Sequence, residues 1–200
     1  MAVLVSGGGT NLQTLIDSVE KGDINGEIAL VISDRENAYA LERARKHGIK
    51  TAFIDRKQCG TRLLQELKAL DVELVVLAGF LSILSSEFVK AYEGRIMNIH
   101  PSLIPSFCGK GFYGEKVHKA AVEYGVKISG ATVHFVDEGT DSGPIILQEA
   151  VPVYPEDTAE ELAARVLQVE HRLLPEAVRL YCEGRLNIAG RKVIITRKEV

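Results

Sequence analysis

The first half of the chain alternates short apolar runs with segments in which apolar side chains recur at helical spacing. The runs at 2–5, 28–33, 51–54, 74–78 and 95–99 predict β-strands. The segments at 12–19, 38–46, 63–70 and 86–92 predict the helices between them. Because the run at 74–78 is apolar on both faces, it suits a parallel strand that helices cover on each side. This regular alternation predicts right-handed crossovers and a doubly wound sheet.

The second half departs from this alternation. Residues 106–114 hold three glycines and are expected to form a loop, and a helix is expected over 117–124. Two segments rich in β-branched residues, 128–136 and 144–153, predict later strands that could pair antiparallel. The polar segment 137–143 between them then forms a glycine-bearing loop.

Capping patterns mark two helix starts. Thr10 with Gln13, and Thr158 with Glu161, each have the capping-box form. Pro175 lies inside the long helical pattern that follows Thr158, and it should kink or interrupt that helix. The fold class predicted is α/β: a single doubly wound, mostly parallel sheet with helices on both faces and an antiparallel C-terminal portion that ends in a hairpin.

Composition narrows the class of protein. A hydrophobic content of 46% over 200 residues supports one domain with a sizeable core, and a net charge of −3 gives no sign of nucleic-acid binding. No apolar run is long enough to cross a membrane, and the N-terminus lacks the features of a signal peptide. The three cysteines are widely spaced, without CxxC, so neither a disulfide framework nor a metal site is expected. These features predict a soluble cytoplasmic protein without a metal.

The first candidate for chemistry is the glycine-rich segment from Ser6 to Asn11. A glycine turn from a strand into a helix presents backbone N–H groups at the positive end of the helix dipole, which favours a phosphate. The segment lacks the lysine of a nucleoside-triphosphate loop. Leu12 stands where a dinucleotide fingerprint has its third glycine. A small phosphate-bearing ligand is therefore favoured, and a plain structural turn remains the alternative.

The second candidate combines Asn98 and His100 with Asp141. Two residues apart on one strand, Asn98 and His100 share a face, at a strand end where open α/β sheets place their sites. A carboxylate beside His100 would fix the ring tautomer and stabilise its charged form. Asn98 could bind an oxyanion, so the set suits acyl transfer to a bound nucleophile. Sequence spacing does not show whether Asp141 reaches His100, and an Asn and a His that only fix a loop remain the alternative.

Four motifs in order resemble those of the 10-formyltetrahydrofolate-dependent formyltransferases, and phosphoribosylglycinamide formyltransferases in particular. They are SGGGTNLQ at 6–13, LAGF at 77–80, NIHPSLIP at 98–105 and GATVHFVDEGTDSGP at 130–144. The resemblance implies a Rossmann-like formyltransferase fold over 1–200. Its phosphate-binding half would cover about 1–100 and its folate-binding half about 101–200. It also implies cytoplasmic purine synthesis by a monomer or homodimer that binds neither nucleic acid nor membrane.

The resemblance further implies that the amine of glycinamide ribonucleotide attacks the formyl carbon of 10-formyltetrahydrofolate. Asn98 and protonated His100 would stabilise the oxyanion, while Asp141 orients His100 and assists proton transfer. The residues implied in binding the nucleotide are Gly9, Thr10, Asn11, Pro101 and Glu170. Those implied in binding the folate are Arg56, Leu81, Ser82, Ile83, Leu84, Asp137, Glu138, Gly139 and Thr140.

The chain departs from this family at a few positions. Many members have Met-Arg where this chain has Leu81-Ser82, so a backbone contact to the folate would survive there and an arginine contact would not. Arg56 fits the place of the folate-contacting arginine best, and Arg62 is the alternative. From the residues alone, Glu170 is a surface acid, His118 an exposed residue, and His134 either structural or a support for the site.

Other functions remain open at this stage. Formyltetrahydrofolate deformylase would use water in place of the amine, but it carries an N-terminal domain for which the glycine turn at residue 6 leaves no room. Methionyl-tRNA formyltransferase would add a C-terminal RNA-binding domain after the end of this chain. A non-catalytic phosphate- or folate-binding module is the third alternative, and the presence of Asn98, His100 and Asp141 disfavours it.

Overall fold

The computed structural model describes residues 1–56 and 60–197. The chain divides into two compact units, Met1–Asn98 and a second that begins at Ile99. The described residues contain nine strands.

The first unit consists of parallel strands and their crossover helices. Its strands are β1 (Ala2–Val5), β2 (Leu30–Ser33), β3 (Thr51–Phe53), β4 (Val75–Leu77) and β5 (Ile96–His100), which runs on into the second unit. Its helices are α1 (Thr10–Glu20), α2 (Tyr39–Lys46), α3 (Thr61–Lys68) and α4 (Ser86–Ala91). The strand order is β3-β2-β1-β4-β5, and each neighbouring pair is parallel.

The strand order reverses between β1 and β4, because β1 continues through α1 to β2 on one side while β4 lies on the other. In open α/β sheets, ligands bind beyond the carboxyl ends of the strands at such a reversal. The segments that leave those two ends are the glycine turn after Val5 and the loop after Leu77. The topology therefore brings two of the motif segments to one edge of the sheet.

The start of α1 differs from the prediction. Thr10 is the first helical residue, Gly9 is the N-cap, and no side chain caps the helix, so the capping box of Thr10 with Gln13 is wrong. Gly9 has φ +75°, and a Cβ added there would lie 2.6 Å from the Cβ of Ala40 on α2. Both the left-handed backbone and the close approach exclude other residues, so the packing of α2 fixes where α1 begins.

The second unit begins with the end of β5 and is largely antiparallel. Its further elements are α5 (Glu115–Tyr124), β6 (Ile128–Phe135), β7 (Ile145–Pro152), α6 (Ala159–Cys182), β8 (Leu186–Ala189) and β9 (Lys192–Ile195). β6 pairs antiparallel with β7, β8 pairs antiparallel with β9, and β7 contacts β9 in parallel. The predicted mostly parallel α/β sheet with an antiparallel C-terminal portion and terminal hairpin is confirmed.

The long helix α6 begins as predicted and does not break where expected. Thr158 accepts from the N–H of Glu161, and the Glu161 carboxylate accepts from the N–H of Thr158, so this capping box is confirmed. Pro175 lies inside the continuous helix, so the predicted interruption is wrong, while a kink at this position stays a prediction. Proline removes one helical donor, but Leu174, Ala177 and other buried side chains pack this part of α6, and such packing supplies most of the stability of a helix.

None of the described helices is both long enough and apolar enough to cross a lipid bilayer.

His118 lies in the core of the second unit, so its interpretation as an exposed residue is wrong. The side chain sits on the first turn of α5 with 5% exposure, and its Nδ1 has no hydrogen-bond partner among the described residues. Burial, and to a smaller extent the nearby His100, lowers the pKa of His118 to about 4. The ring is therefore uncharged near neutral pH, and protonating it works against the folded state.

We expect His118 to destabilise the protein as the pH falls. Its pKa of about 4 in the folded state lies below the ordinary value of 6.5, so between these values the unfolded chain binds more protons. The contribution of His118 to stability is complete above about pH 6.5 and is lost toward pH 4, at up to about 1.4 kcal/mol per pH unit. His118→Gln should therefore flatten the dependence of the unfolding free energy on pH, measured by urea denaturation across this range. A slope equal to that of the wild type would contradict this origin.

Candidate active site

The segment after β5 is fastened to β6 by a single hydroxyl group. Thr132 Oγ1 donates to the carbonyl of Ser102 at 2.6 Å and accepts from the N–H of Ile104 at 3.1 Å. It also accepts from the side-chain amide of Gln148 at 2.9 Å. One donor and two acceptor sites are thus all in use, and the threonine is completely buried. This network fixes the course of the chain immediately beyond His100.

His100 ends β5 with its ring buried at 4% exposure. Its Nε2 lies 2.9 Å from the carbonyl oxygen of Phe107, and its Nδ1 lies 3.6 Å from Oδ2 of Asp141. A carbonyl oxygen only accepts, so Nε2 must carry a proton that it donates to Phe107. The distance from Nδ1 to Asp141 is that of an ion pair rather than of a hydrogen bond. Both ring nitrogens therefore face oxygen acceptors.

Asp141 is held by the loop on which it lies and by a neighbouring turn. Its φ of +55° is in the left-handed region, which aspartate tolerates better than most residues. The N–H of Gly109 donates to Oδ2 at 2.9 Å, and the side chain is only 12% exposed. The structure thus brings together His100 and Asp141, although they are 41 positions apart in the sequence (141 − 100).

A second histidine faces the other oxygen of the same carboxylate. His134 Nε2 lies 3.8 Å from Oδ1 of Asp141, and its Nδ1 donates to the carbonyl of Phe135 at 2.8 Å. Burial lowers the pKa of His134 more than this hydrogen bond and the carboxylate raise it. The two histidines beside Asp141 therefore differ: burial lowers the pKa of His134, while both nitrogens of His100 are placed against acceptors. His134 is thus both hydrogen-bonded within its strand and close to Asp141, so the structural and the supporting interpretation both stay predictions.

The loop at 137–143 has a compact internal structure. Asp137 Oδ1 accepts from the N–H of Gly139 at 3.1 Å and from the hydroxyl of Ser142 at 2.6 Å. Gly143 lies so close to the backbone of β6 that an added Cβ would be 1.9 Å from the carbonyl oxygen of Phe135. Glycine is therefore required there, and this contact sets the position of the loop that carries Asp141.

The glycine turn of the first unit is bound to the loop after β4. The hydroxyl of Ser6 accepts from the N–H of Leu81 at 2.8 Å, and the N–H of Ser6 donates to the carbonyl of Gly79 at 3.1 Å. An added Cβ at Gly7 or Gly8 would meet nothing within 4 Å. Neither glycine has a positive φ. The fold itself therefore does not require glycine at these two positions. The absence of side chains there leaves open space beside the backbone.

Arg56 and Ser82 converge on a carboxylate that the sequence analysis missed. Asp34 follows β2, and its fully buried side chain accepts through Oδ2 from Ser82 Oγ at 2.6 Å and from Arg56 Nε at 3.2 Å. Oδ1 is also buried, with no hydrogen-bond partner among the described residues. Arg56 is itself 56% exposed, so the ion pair contributes little to stability. Its consequence is geometric, because one carboxylate orients both side chains.

The other predicted residues lie in varied environments. Glu170 is buried on α6, so its interpretation as a surface acid is wrong. Thr10 is exposed and Asn11 buried at the start of α1, while Asn98 and Pro101 are partly buried on either side of His100. The remaining predicted binding residues are partly or fully exposed: Leu81, Ile83, Leu84, Asp137, Glu138, Gly139 and Thr140. Arg62 is exposed in the first turn of α3.

The described residues contain no group of three or more His, Cys, Asp or Glu side chains that could hold a metal ion. Cys108 lies in the loop before α5, where burial and the nearby Asp141 raise the pKa of its thiol. A raised pKa disfavours the thiolate, which is the nucleophilic form. The side chains that the second unit places together are therefore those of acid–base chemistry.

Comparison with known proteins places the chain in a family. Residues 1–178 match the family model described as formyl transferase. Phosphoribosylglycinamide formyltransferase of Haemophilus influenzae is 43% identical, over 94% of this chain and 89% of that protein. The crystal structure of glycinamide ribonucleotide transformylase 1 from Symbiobacterium toebii is 48% identical, with a TM-score of 0.91 over 98% of this chain and 93% of that one.

Some relatives are longer. The chloroplastic phosphoribosylglycinamide formyltransferase of Vigna unguiculata is 42% identical over 93% of this chain, which spans 62% of the length of that protein. The match covers the glycine turn, β5 and the loop at 137–143, the segments that carry the motifs. The chain belongs to the formyl transferase family, and its resemblance to the phosphoribosylglycinamide formyltransferases within that family is confirmed.

Proposed function

We propose that the protein transfers the formyl group of 10-formyltetrahydrofolate to the amino group of glycinamide ribonucleotide in purine synthesis. Relatives that bear the name of this activity are 43% and 48% identical over nearly the whole chain. The observation that carries the proposal is the ring of His100, with Nε2 on a carbonyl oxygen and Nδ1 beside Asp141. A proton donor supported from behind by a carboxylate suits a reaction that develops charge on a carbonyl oxygen.

In the proposed reaction the amine nitrogen attacks the formyl carbon and the carbonyl electrons move to the oxygen. The oxyanion replaces the Phe107 carbonyl as the acceptor of the proton on Nε2 of His100, and the amide of Asn98 donates to it as well. Asp141 orients the imidazole from the Nδ1 side. When the bond to N10 of the folate breaks, the proton lost by the amine reaches N10 through Asp141 and water. No step requires a metal or a covalent enzyme intermediate.

The glycine turn supplies the features that a phosphate needs. Gly9, Thr10 and Asn11 would bind the phosphate of the nucleotide through the N–H groups at the start of α1, which have no acceptor within the helix. The open space beside Gly7 and Gly8 would let the anion approach the backbone closely. Pro101 and the buried carboxylate of Glu170 would contact the glycinamide group.

The hydrogen bonds around Ser82 favour a backbone contact with the folate. The Ser82 hydroxyl donates to Asp34 and the Leu81 N–H donates to Ser6, so neither donor is available to a ligand. The folate would then be recognised by the remaining backbone groups of Leu81, Ser82, Ile83 and Leu84, together with Asp137, Glu138, Gly139 and Thr140. Arg56, which Asp34 orients, would pair with the folate carboxylates, and Arg62 is the alternative.

The reaction is tested by following tetrahydrofolate formation from 10-formyltetrahydrofolate, with and without glycinamide ribonucleotide. We expect product only with the nucleotide, because the attacking amine belongs to it. Product of equal rate without the nucleotide would identify a deformylase, in which water takes the place of the amine. No product in either case, together with binding of either ligand, would indicate a non-catalytic module. Either result would overturn the proposal.

His100 and Asp141 are expected to act on turnover rather than on binding. His100→Ala and Asp141→Asn should each lower kcat by ~10²–10⁴-fold, since each removes one part of the acid–base and oxyanion machinery. The KM for glycinamide ribonucleotide should stay near the wild-type value, because the phosphate-binding turn is intact. Steady-state kinetics of both variants provide the measurement.

Glu123→Gln is the matched control for these variants. This carboxylate lies on α5 with 66% exposure, where it pairs with Lys119 at 3.8 Å. Its neutralisation should leave kcat unchanged. A wild-type kcat in His100→Ala or Asp141→Asn would reject the role assigned to that residue.

A further inference from the structure

The contacts between the glycine turn and α2 point to a role for Arg43, which no motif identified. Two successive carbonyls of the turn accept hydrogen bonds from α2. The N–H of Ala40 donates to the carbonyl of Gly7 at 3.1 Å, and Arg43 Nε donates to the carbonyl of Gly8 at 2.8 Å. The turn is therefore held from behind by one backbone group and one side chain.

Fixing these carbonyls also fixes the direction of the next amide groups. A trans peptide is planar, with its C=O and its N–H pointing in opposite directions. The bond from Ala40 to Gly7 thus directs the N–H of Gly8 away from α2, and the bond from Arg43 to Gly8 directs the N–H of Gly9 the same way. The carbonyl of Gly9 accepts from Gln13 N–H at 2.9 Å, which turns the N–H of Thr10 outward from the helix start. Three successive donors are thus oriented through their carbonyls.

The guanidinium of Arg43 is itself held in place. Its Nη1 donates to Oε1 of Gln13 at 3.2 Å, and its Cζ lies 5.0 Å from the ring centroid of Tyr39. The amide nitrogen of Gln13 in turn donates to Asp17 on the same helix at 2.9 Å. A side chain held by a hydrogen bond and an aromatic ring loses little further freedom when it binds a carbonyl. Arg43 therefore connects α1, α2 and the turn.

We propose that Arg43 is a positioning residue for phosphate recognition, which acts by holding the Gly8 carbonyl so that the turn presents its N–H groups to the anion. The inference rests on the proposed function, in which the turn binds the phosphate of the nucleotide. The positive charge of Arg43 also favours a phosphate, but its role as a positioning residue depends on the direction of its hydrogen bonds. The nucleotide is recognised through Arg43 although the side chain donates to the protein backbone.

Two substitutions separate geometry from charge. Arg43→Met keeps the length of the side chain and removes both donors and the charge. Arg43→Lys keeps the charge, but a single ammonium group cannot reproduce the guanidinium geometry that reaches Gly8 and Gln13 together. Arg45→Met is the matched control, because Arg45 lies on the same helix, is 56% exposed and pairs with Glu42 at 3.4 Å.

The measurements are steady-state KM and kcat with glycinamide ribonucleotide and with the same compound lacking its phosphate. Arg43→Met should raise the KM for the nucleotide about tenfold, because it removes a hydrogen bond from a charged donor. Its kcat should stay near the wild-type value. The KM for the compound without phosphate should not change. Arg43→Lys should show much of the same loss, and Arg45→Met none.

Calorimetric titration with ribose 5-phosphate gives a readout that does not depend on turnover. In Arg43→Met the affinity for ribose 5-phosphate should fall by the same factor by which the KM rises. An unchanged KM and affinity would overturn the inference, as would an equal loss with the compound that lacks phosphate. Wild-type behaviour of Arg43→Lys would show that charge alone matters and would also overturn it. Failure of the wild-type protein to use the nucleotide is a different result, and it would refute the proposed function instead.

Discussion

The placement of one buried carboxylate, Asp141, against the ring of His100 is the constraint on which the rest of the site depends. A carboxylate in a largely buried position is costly unless it is paired and hydrogen-bonded. Asp141 meets this requirement with the N–H of Gly109 at 2.9 Å and with the imidazole of His100 at 3.6 Å. Because Nδ1 of His100 faces the carboxylate, the proton on Nε2 points away from it. The need to compensate a buried charge thus also defines a proton donor.

The surrounding fold fixes both partners of this pair. Thr132 holds the segment beyond His100 through two hydrogen bonds, and Gly143 lets the loop of Asp141 lie directly on β6. The first unit uses the same principle with different groups, since Gly9 lets α1 start against α2 and Ser6 fixes the loop after β4. In each case a residue without a side chain, or with one small hydroxyl, sets the position of a functional segment.

Local sequence signals predicted the features that depend on local physics. Apolar runs, segments rich in β-branched residues and helical spacing located the strands and helices, and Thr158 with Glu161 marked the start of α6 correctly. The same pattern at Thr10 and Gln13 misled, because the packing of Gly9 on Ala40 decides where α1 begins. Pro175 is also accommodated by packing against other parts of the fold, and a local sequence pattern contains no information about such packing.

Burial of polar groups could not be predicted. Glu170 and His118 are buried because elements distant in sequence cover them, and each looks like a surface residue on its own helix. Asp34 shows no signal beyond following a strand, yet it orients both Arg56 and Ser82. Asn98, His100 and Asp141 were found from strand-end position and from resemblance, while only the structure shows that the imidazole and the carboxylate approach each other.

The central claim is that His100 carries its proton on Nε2, with Nδ1 turned to Asp141. Nitrogen-15 NMR of the protein labelled in its histidines tests this directly, with the His100 signals assigned by their loss in His100→Gln. We expect a protonated Nε2 in the ligand-free protein. A second proton on the ring, where present, should be bound to Nδ1. A neutral ring with its only proton on Nδ1 would contradict it, because that tautomer has no proton to donate to the Phe107 carbonyl or to an oxyanion in its place.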